Sequence, residues 1–365
     1  MQLAPERPLP RTRPSPTAVG ATPGEPRTGS ALNQALRPFV QEDRRKSWRL
    51  LTLALVTWAA LLVATLLVPA ALWPLKIGLG LLTGFALFRP FIVYHDHLHG
   101  AVLHDSKLGS ALLSGVGLYM LTPRSVWRET HNHHHKHNAK VTAASIGALP
   151  VVTVEMWQAM SRLERFAYRA QRHPLVIGPA YVTFFLFGMS IMPFALKSAD
   201  TKTRHWSGLL AVLLHVGWLA LLATTLGPLT MFAAGILPLL VPHALGAYMF
   251  YAQHNFPSMV VREDEDWDYT VAALRSSSFF KMSRFMHWVT GNIGFHHVHH
   301  LSHRIPFYRL PEAMAAIPEL QSPGTTSWRP KDIRANFRLA VWSKSLNRML
   351  TWRELARWQG PDALV

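Results

Sequence analysis

Three short stretches of the chain place histidines where one helix face would gather them. His95 and His99 are four residues apart; His131, His134 and His135 follow an i, i+3, i+4 pattern, which His296, His299 and His300 repeat. Side chains three or four apart on a helix stand about 5–6 Å from one another, so each stretch aims two or three imidazoles at one point. Neutral imidazole ligates iron, zinc, copper or nickel without adding charge. A lone histidine is ordinarily a satisfied core or surface residue. Three clusters in a chain of 20 histidines point instead to a site for more than one metal ion. The chain has 0 Cys, which removes thiolate ligands, disulfides and a self-held iron–sulfur cluster.

The elements that must position these clusters are long and apolar. Residues 50–67, 71–90, 208–225 and 229–252 are uncharged apart from Lys76 and Arg89, and each has spanning length. They pair as two hairpins across short turns, VPAALWP at Val68–Pro74 and Leu226–Pro228. In lipid such spans must be helices, because only a helix satisfies its own backbone hydrogen bonds there. Lys76 can snorkel from its turn. Arg44, Arg45, Lys46, Arg49 and Arg89 lie on the outer flanks, so the positive-inside rule puts both ends of the first hairpin, and the clusters with them, in the cytoplasm. Residues 108–121 are short for a span. Were 174–196 to cross, the second and third clusters would face opposite compartments and Lys197, Lys202 and Arg204 would be exported. Both stretches are therefore expected to be interfacial or re-entrant.

The expected fold class is an all-α integral membrane protein, with four transmembrane helices and a cytoplasmic helical cap holding a histidine-rich di-metal site. Residues 1–40 read as a disordered, basic, Pro-rich tail, 41–320 as the membrane-embedded domain and 321–365 as a basic, partly amphipathic helical segment. In that last segment Ile333, Phe337, Ala340 and Val341 share one helix face, as in a membrane-surface helix, or one packed on the cap. The net charge of +17 would suit nucleic acid, an anionic membrane or an acidic partner. No nucleic-acid motif is present and the basic residues flank apolar runs, which favours the membrane.

Written out, the clusters are HDHLH (His95–His99), HNHHH (His131–His135) and HHVHH (His296–His300). In this order the trio resembles the signature of the membrane fatty acid desaturase superfamily. The resemblance extends to GNIGFHHVHHL (Gly291–Leu301), RIPFYRL (Arg304–Leu310) and YAQHNF (Tyr251–Phe256), and these flanks are most similar to bacterial acyl-lipid desaturases. It implies two non-haem irons held by His95, His99, His131, His134, His135, His296, His299 and His300, with His254 matching a further ligand that the family places before its third box. It also implies removal of two vicinal hydrogens from an acyl chain, lipid-linked in the nearest group, with O2 and two electrons. The chain carries no flavin, NAD or ferredoxin motif of its own. Electrons are therefore expected from a ferredoxin or a cytochrome b5-type donor with its NAD(P)H reductase, and the location from a bacterial inner membrane. The chain departs from the family at His97, His104, Ser302–His303 and Phe307.

No catalytic residue is expected beyond the ligands. Asp96 directly follows a ligand and is a candidate to orient imidazoles, with Glu129 and Asp268 as weaker ones; helix-surface charge is the plain alternative. His133, His137 and His297 lie in the boxes but off the ligand frame, and His215 and His243 lie within spans. Three rivals remain open: a hydroxylase or ketolase of a lipid or carotenoid on the same scaffold, a histidine-rich metal transporter, and a zinc hydrolase. Transporters place ligands within their spans, and a single catalytic zinc needs only three protein ligands.

Overall fold

The computed structural model describes residues 27–141, 149, 151–196, 204–263 and 265–360. Among the described residues, four helical segments are long and apolar enough to cross a membrane: Arg44–Leu67, Ala70–Leu98, Trp206–Leu226 and Pro228–Gln253. The first starts at a cap, Asp43, whose carboxylate accepts from Lys46 N at 2.9 Å. It ends against the second at a buried polar contact, Thr65 Oγ1 to Thr83 Oγ1 at 3.2 Å. Lys76 does not snorkel as expected. It is buried and donates to Thr65 O at 2.7 Å, placing a cation on the carbonyl-rich end of the first span.

The second span does not end at Arg89–Pro90 as expected but continues as one helix, Trp73–Leu98, with Pro90 inside it. Its 26 residues rise about 39 Å, more than the roughly 30 Å of bilayer hydrocarbon. The first histidine cluster therefore rides on the protruding end of a span. Spans two and four meet through small residues: a Cβ added at Gly84 would lie 2.8 Å from Val241 Cβ, and one at Gly80 would collide with Ala233 O.

The stretch 108–121 forms a helix, Lys107–Tyr119, capped by Ser106. Pro174–Ile177, a π-helix at Tyr181–Ile191 and Met192–Ala195 follow in the second uncertain stretch. The apolar helix there, Tyr181–Ala195, falls short of spanning length and packs against the third span, where Ser190 O faces Gly208. Lys197 and Lys202 lie outside the described residues.

The other described helices build the cap, among them Arg124–Lys136, Arg162–Gln171, Tyr269–Arg275 and His296–Leu301. The described residues are mostly helical, as expected, with two short strand pairs among the helices. Phe279–Lys281 pairs parallel with Thr325–Ser327, and Leu339–Ser343 pairs antiparallel with Arg348–Thr351. The C-terminal amphipathic helix is accordingly shorter than expected. Pro330–Arg338 is helical, but Ala340 and Val341 sit in a fully buried strand, packed with Val152, Trp157, Tyr168 and Leu350. The hairpin turns at Asn347, whose φ of 46° is a left-handed conformation that asparagine tolerates. At the other end, residues 1–26 of the expected tail lie outside the described residues. Gly29–Val40, counted within that tail, is a helix whose Leu32 and Leu36 are buried in the main core.

Candidate metal centre

Four segments converge on the site. The second span delivers His95 and His99, the latter as the residue capping the helix end. The Arg124–Lys136 helix delivers His131, His134 and His135 from its last two turns. The fourth span ends at His254. Left-handed residues Gly291 (φ 52°) and Asn292 (φ 58°) reverse the chain before the short His296–Leu301 helix, Gly291 lying against Ile92 of the second span. Cross-links fix these pieces: Gln253 Nε2 donates to Ile293 O at 2.9 Å, Tyr94 Oη to Thr122 O at 2.7 Å and Tyr269 Oη to His300 O at 2.5 Å.

The nine imidazoles sort into two groups. His95, His99, His131, His135 and His299 form one, and His134, His254, His296 and His300 the other; within each, one nitrogen per ring lies within 4.8 Å of all the rest. In the first group Nε2 of His95 is 2.8 Å from His131 and 3.3 Å from His99, while His135 is 3.2 Å from His131 and 3.1 Å from His299. The second group closes into a square: His134–His254 3.1 Å, His254–His296 2.8 Å, His296–His300 3.1 Å and His300–His134 3.2 Å, all Nε2 to Nε2. The groups touch where the rings of His135 and His300 stack with centroids 4.3 Å apart. All nine histidines expected as ligands thus lie in these two groups.

The donor set fits metal ions better than it fits hydrogen bonding. A ring nitrogen either carries a proton or offers a lone pair, never both. A closed square of Nε2 contacts therefore cannot run as a donor-to-acceptor circle. Nitrogens bound at about 2.1 Å and right angles to one ion stand about 3.0 Å apart, the spacing found here. Two Nδ1 atoms have the acceptors such a tautomer requires. His95 Nδ1 donates to Asp96 Oδ1 at 3.0 Å and His254 Nδ1 to Ser276 O at 3.3 Å, which turns each Nε2 lone pair inward. For His134, His135, His296, His299 and His300, Nδ1 is buried without a hydrogen-bond partner among the described residues. Such orphans cost about 1–3 kcal/mol each, a cost that a metal ion bound at the facing Nε2 atoms would offset.

Burial also keeps the ligands neutral. Desolvation, then neighbouring imidazoles, hold His99, His131, His134, His135, His296, His299 and His300 well below the usual histidine value of 6.5, and desolvation takes His254 down to about 4. Lone pairs rather than imidazolium charges face the centre at neutral pH.

The chain belongs to the fatty acid desaturase family. The family profile matches residues 71–331, a stretch that contains all nine imidazoles. The chain is similar to a fatty acid desaturase of Bacillus subtilis, 29% identical over 77% of this chain and 78% of that one. It is also similar to an sn-1 oleoyl-lipid 12-desaturase of a Synechocystis species, 26% identical over 85% and 87%. A chloroplastic sn-2 acyl-lipid omega-3 desaturase (ferredoxin) of Helianthus annuus is 24% identical over 64% of this chain and 53% of its own length. As a desaturase with four apolar helices of spanning length among the described residues, the protein is an integral membrane oxidoreductase with two histidine groups able to hold metal ions.

Of the carboxylates proposed to orient the histidines, Asp96 meets one. It is 1% exposed, with Oδ1 on His95 and Oδ2 accepting from Phe307 N at 2.6 Å. Glu129 instead ion-pairs with His205 at 3.1 Å, because it lies two positions, about 200° of helix turn, from His131. Asp268 caps the Tyr269–Arg275 helix, accepting from Val271 N at 2.8 Å.

The other histidines find local partners. His97 bonds Val102 O and Ser110 Oγ, His104 pairs with Asp105, His137 bonds His133 O, His297 bonds Leu320 O, His243 bonds Met120 O and His215 bonds Tyr181 Oη. His303 is different: its ring lies 4.8 Å from that of His99 and 5.2 Å from that of His135. The sequence carries the signal, since His303 extends the third box's i, i+3, i+4 series to i+7. Tyr269, which holds the third-box backbone, has no signal of that kind.

Aromatic rings wall the centre. Trp127 stacks on His131 at 5.1 Å and Phe250 packs on His134 at 5.0 Å. A small recess lies beside the four-histidine group, bounded by His134, His254, Asn138 and Lys140 and by apolar Leu149, Val151, Met259 and Val261.

Proposed function

We propose that each histidine group holds one iron ion and that the protein introduces a cis double bond into an acyl chain carried by a membrane lipid. The observation that supports this most is the pair of Nε2 groups, one of five and one of four, at coordination spacing beside the ends of two spans. Neutral imidazoles suit iron, and relatives named as acyl-lipid desaturases supply the lipid-linked substrate. When bound, the irons supply reductive activation of dioxygen to an oxidant able to take hydrogen from an unactivated methylene.

In the overall reaction a –CH2–CH2– unit loses two hydrogens, dioxygen takes these with two more protons and two electrons, and two waters leave. The residues of this chain have narrower tasks. Asp96 holds the His95 proton on Nδ1, so that Nε2 stays a donor of its lone pair. Trp127 and Phe250 exclude water beside the rings, and apolar Val151, Met259 and Val261 keep the space beside the four-histidine group dry.

The basic start of the first span, Arg44, Arg45, Lys46 and Arg49, favours a cytoplasmic centre in a bacterial inner membrane. An acidic ferredoxin or cytochrome b5-type donor with its NAD(P)H reductase would meet that face. Expression of the full chain in a host of defined lipid pool, followed by mass mapping of acyl chains, tests the reading. New chains lighter by two hydrogens at one position are expected. Chains heavier by one oxygen would make the protein a hydroxylase or ketolase.

A further inference from the structure

The helix Arg162–Gln171 presents two further faces beside the one it buries, an arginine flank that rests on Trp157 and an apolar flank left exposed. At about 100° per residue, Tyr168 points inward, where its hydroxyl donates to Ala340 O at 2.7 Å. Arg165, Arg169 and Arg162 run along the next flank, and Phe166, Ala170 and Leu163 along the one after. Leu163 is 75% and Phe166 69% exposed, as is Leu175 at 77% just beyond the helix. The helix is fixed in place by a capping box, in which Glu164 accepts from Ser161 N at 2.8 Å, so its single carboxylate is already engaged. The three guanidinium groups, with Trp157 and Phe166, line one open cleft. Arg165 and Arg169 lie over the Trp157 ring at 5.5 and 5.2 Å, and Arg165 Nε donates to Trp157 O at 3.0 Å, which holds their positive ends in place.

We propose that this helix lies in the membrane surface beneath the cap, with Leu163, Phe166 and Leu175 among the acyl chains and the arginine cleft holding the phosphate of an anionic phospholipid headgroup. Two features of the molecule choose lipid as the occupant. A cationic row beside an exposed Leu/Phe row is the composition of a helix seated at an anionic bilayer surface. Continuity is the second: the chain passes directly from this helix through Pro174–Ile177 into the apolar Tyr181–Ala195 helix packed on the third span. A soluble acidic protein would pair with the arginines but leave the apolar row in water.

The chain has 0 Cys, so single cysteines report without background. Leu163→Cys and Phe166→Cys, each carrying a nitroxide, are placed in nanodiscs of phosphatidylcholine with and without phosphatidylglycerol. Both labels should relax more with oxygen than with a water-soluble nickel chelate, and should move deeper when phosphatidylglycerol is present. Changing Arg162, Arg165 and Arg169 to Gln should abolish that deepening. Arg162→Gln alone, which spares the Trp157 contacts, should reduce it. Labels favouring the nickel chelate in both discs would overturn the proposal and leave a soluble acidic partner as the occupant. A depth indifferent to phosphatidylglycerol in the native arginine background would remove the headgroup site. Neither readout depends on desaturation, so failure here leaves the proposed activity standing.

Discussion

Asp96 joins two distant segments with one carboxylate, orienting the His95 ring and anchoring the backbone at Phe307. Asp96→Asn keeps an acceptor for one of them but removes the negative charge that stabilises the His95 Nδ1 proton. Metal retention against a chelator should fall by about 10- to 100-fold; unchanged retention would mean that Asp96 is only a packing residue. Replacing His131, His135 or His299 by Ala should abolish unsaturated product and strip one ion, while His134→Ala or His296→Ala should strip the other, with membrane expression preserved in each. Lipid analysis and metal stoichiometry check both statements. Acid should act on the same residues. His254 and His297 are held at about 4 in the fold against 6.5 when free, chiefly by desolvation, so the unfolded chain takes up protons first. Their stabilising contribution is complete above about pH 6.5 and is lost as pH falls toward about 4. The thermal midpoint of metal-stripped protein should therefore decline across that window, and a flat profile would contradict it. At this scale the sequence was most informative: box spacing picked out eight of the imidazoles, and the family resemblance added His254. It misled for Glu129, because two residues of separation on a helix means the opposite face, not the same site.

Spans two and four act as rails that bring His95 and His254 to one level, and their separation is set by Gly80 and Gly84. Gly84→Leu should wedge them apart and cost on the order of 1–3 kcal/mol, seen as a lower thermal midpoint in detergent. Gly78→Ala, with no atom within 4 Å of the added Cβ, serves as the neutral control. Apolar runs make the spans readable from the order of residues alone, since about twenty uncharged residues in a row have few alternatives. Their ends are harder to read. Pro90 signals a helix boundary locally, yet the packed helix carries it, and that continuation is what lifts the first box clear of the lipid. The C-terminal segment departs from expectation for a different reason. Ile333, Phe337, Ala340 and Val341 satisfy a helical period, but Leu339–Ser343 is buried on both faces, and non-local packing, invisible to periodicity, chose a strand.

Across the whole molecule, charge and apolar length are separated: a chain of net charge +17 carries, among the described residues, four apolar spans, and most of its Lys and Arg lie outside them on the water-facing part. An acidic electron donor would be steered to such a face, so donor-dependent turnover should fall as salt shortens the Debye length to about 10 Å at 0.1 M and below it at higher salt. A rate indifferent to ionic strength would argue for a donor held by apolar contact. What the sequence could not supply is the partition of nine imidazoles into five and four, because the second and third boxes each serve both groups. That partition is the central claim, and metal analysis of the purified protein tests it most directly. Two irons per chain, falling to one when either group alone is disabled, is the predicted result. A single zinc, or two ions lost together whichever group is changed, would contradict it.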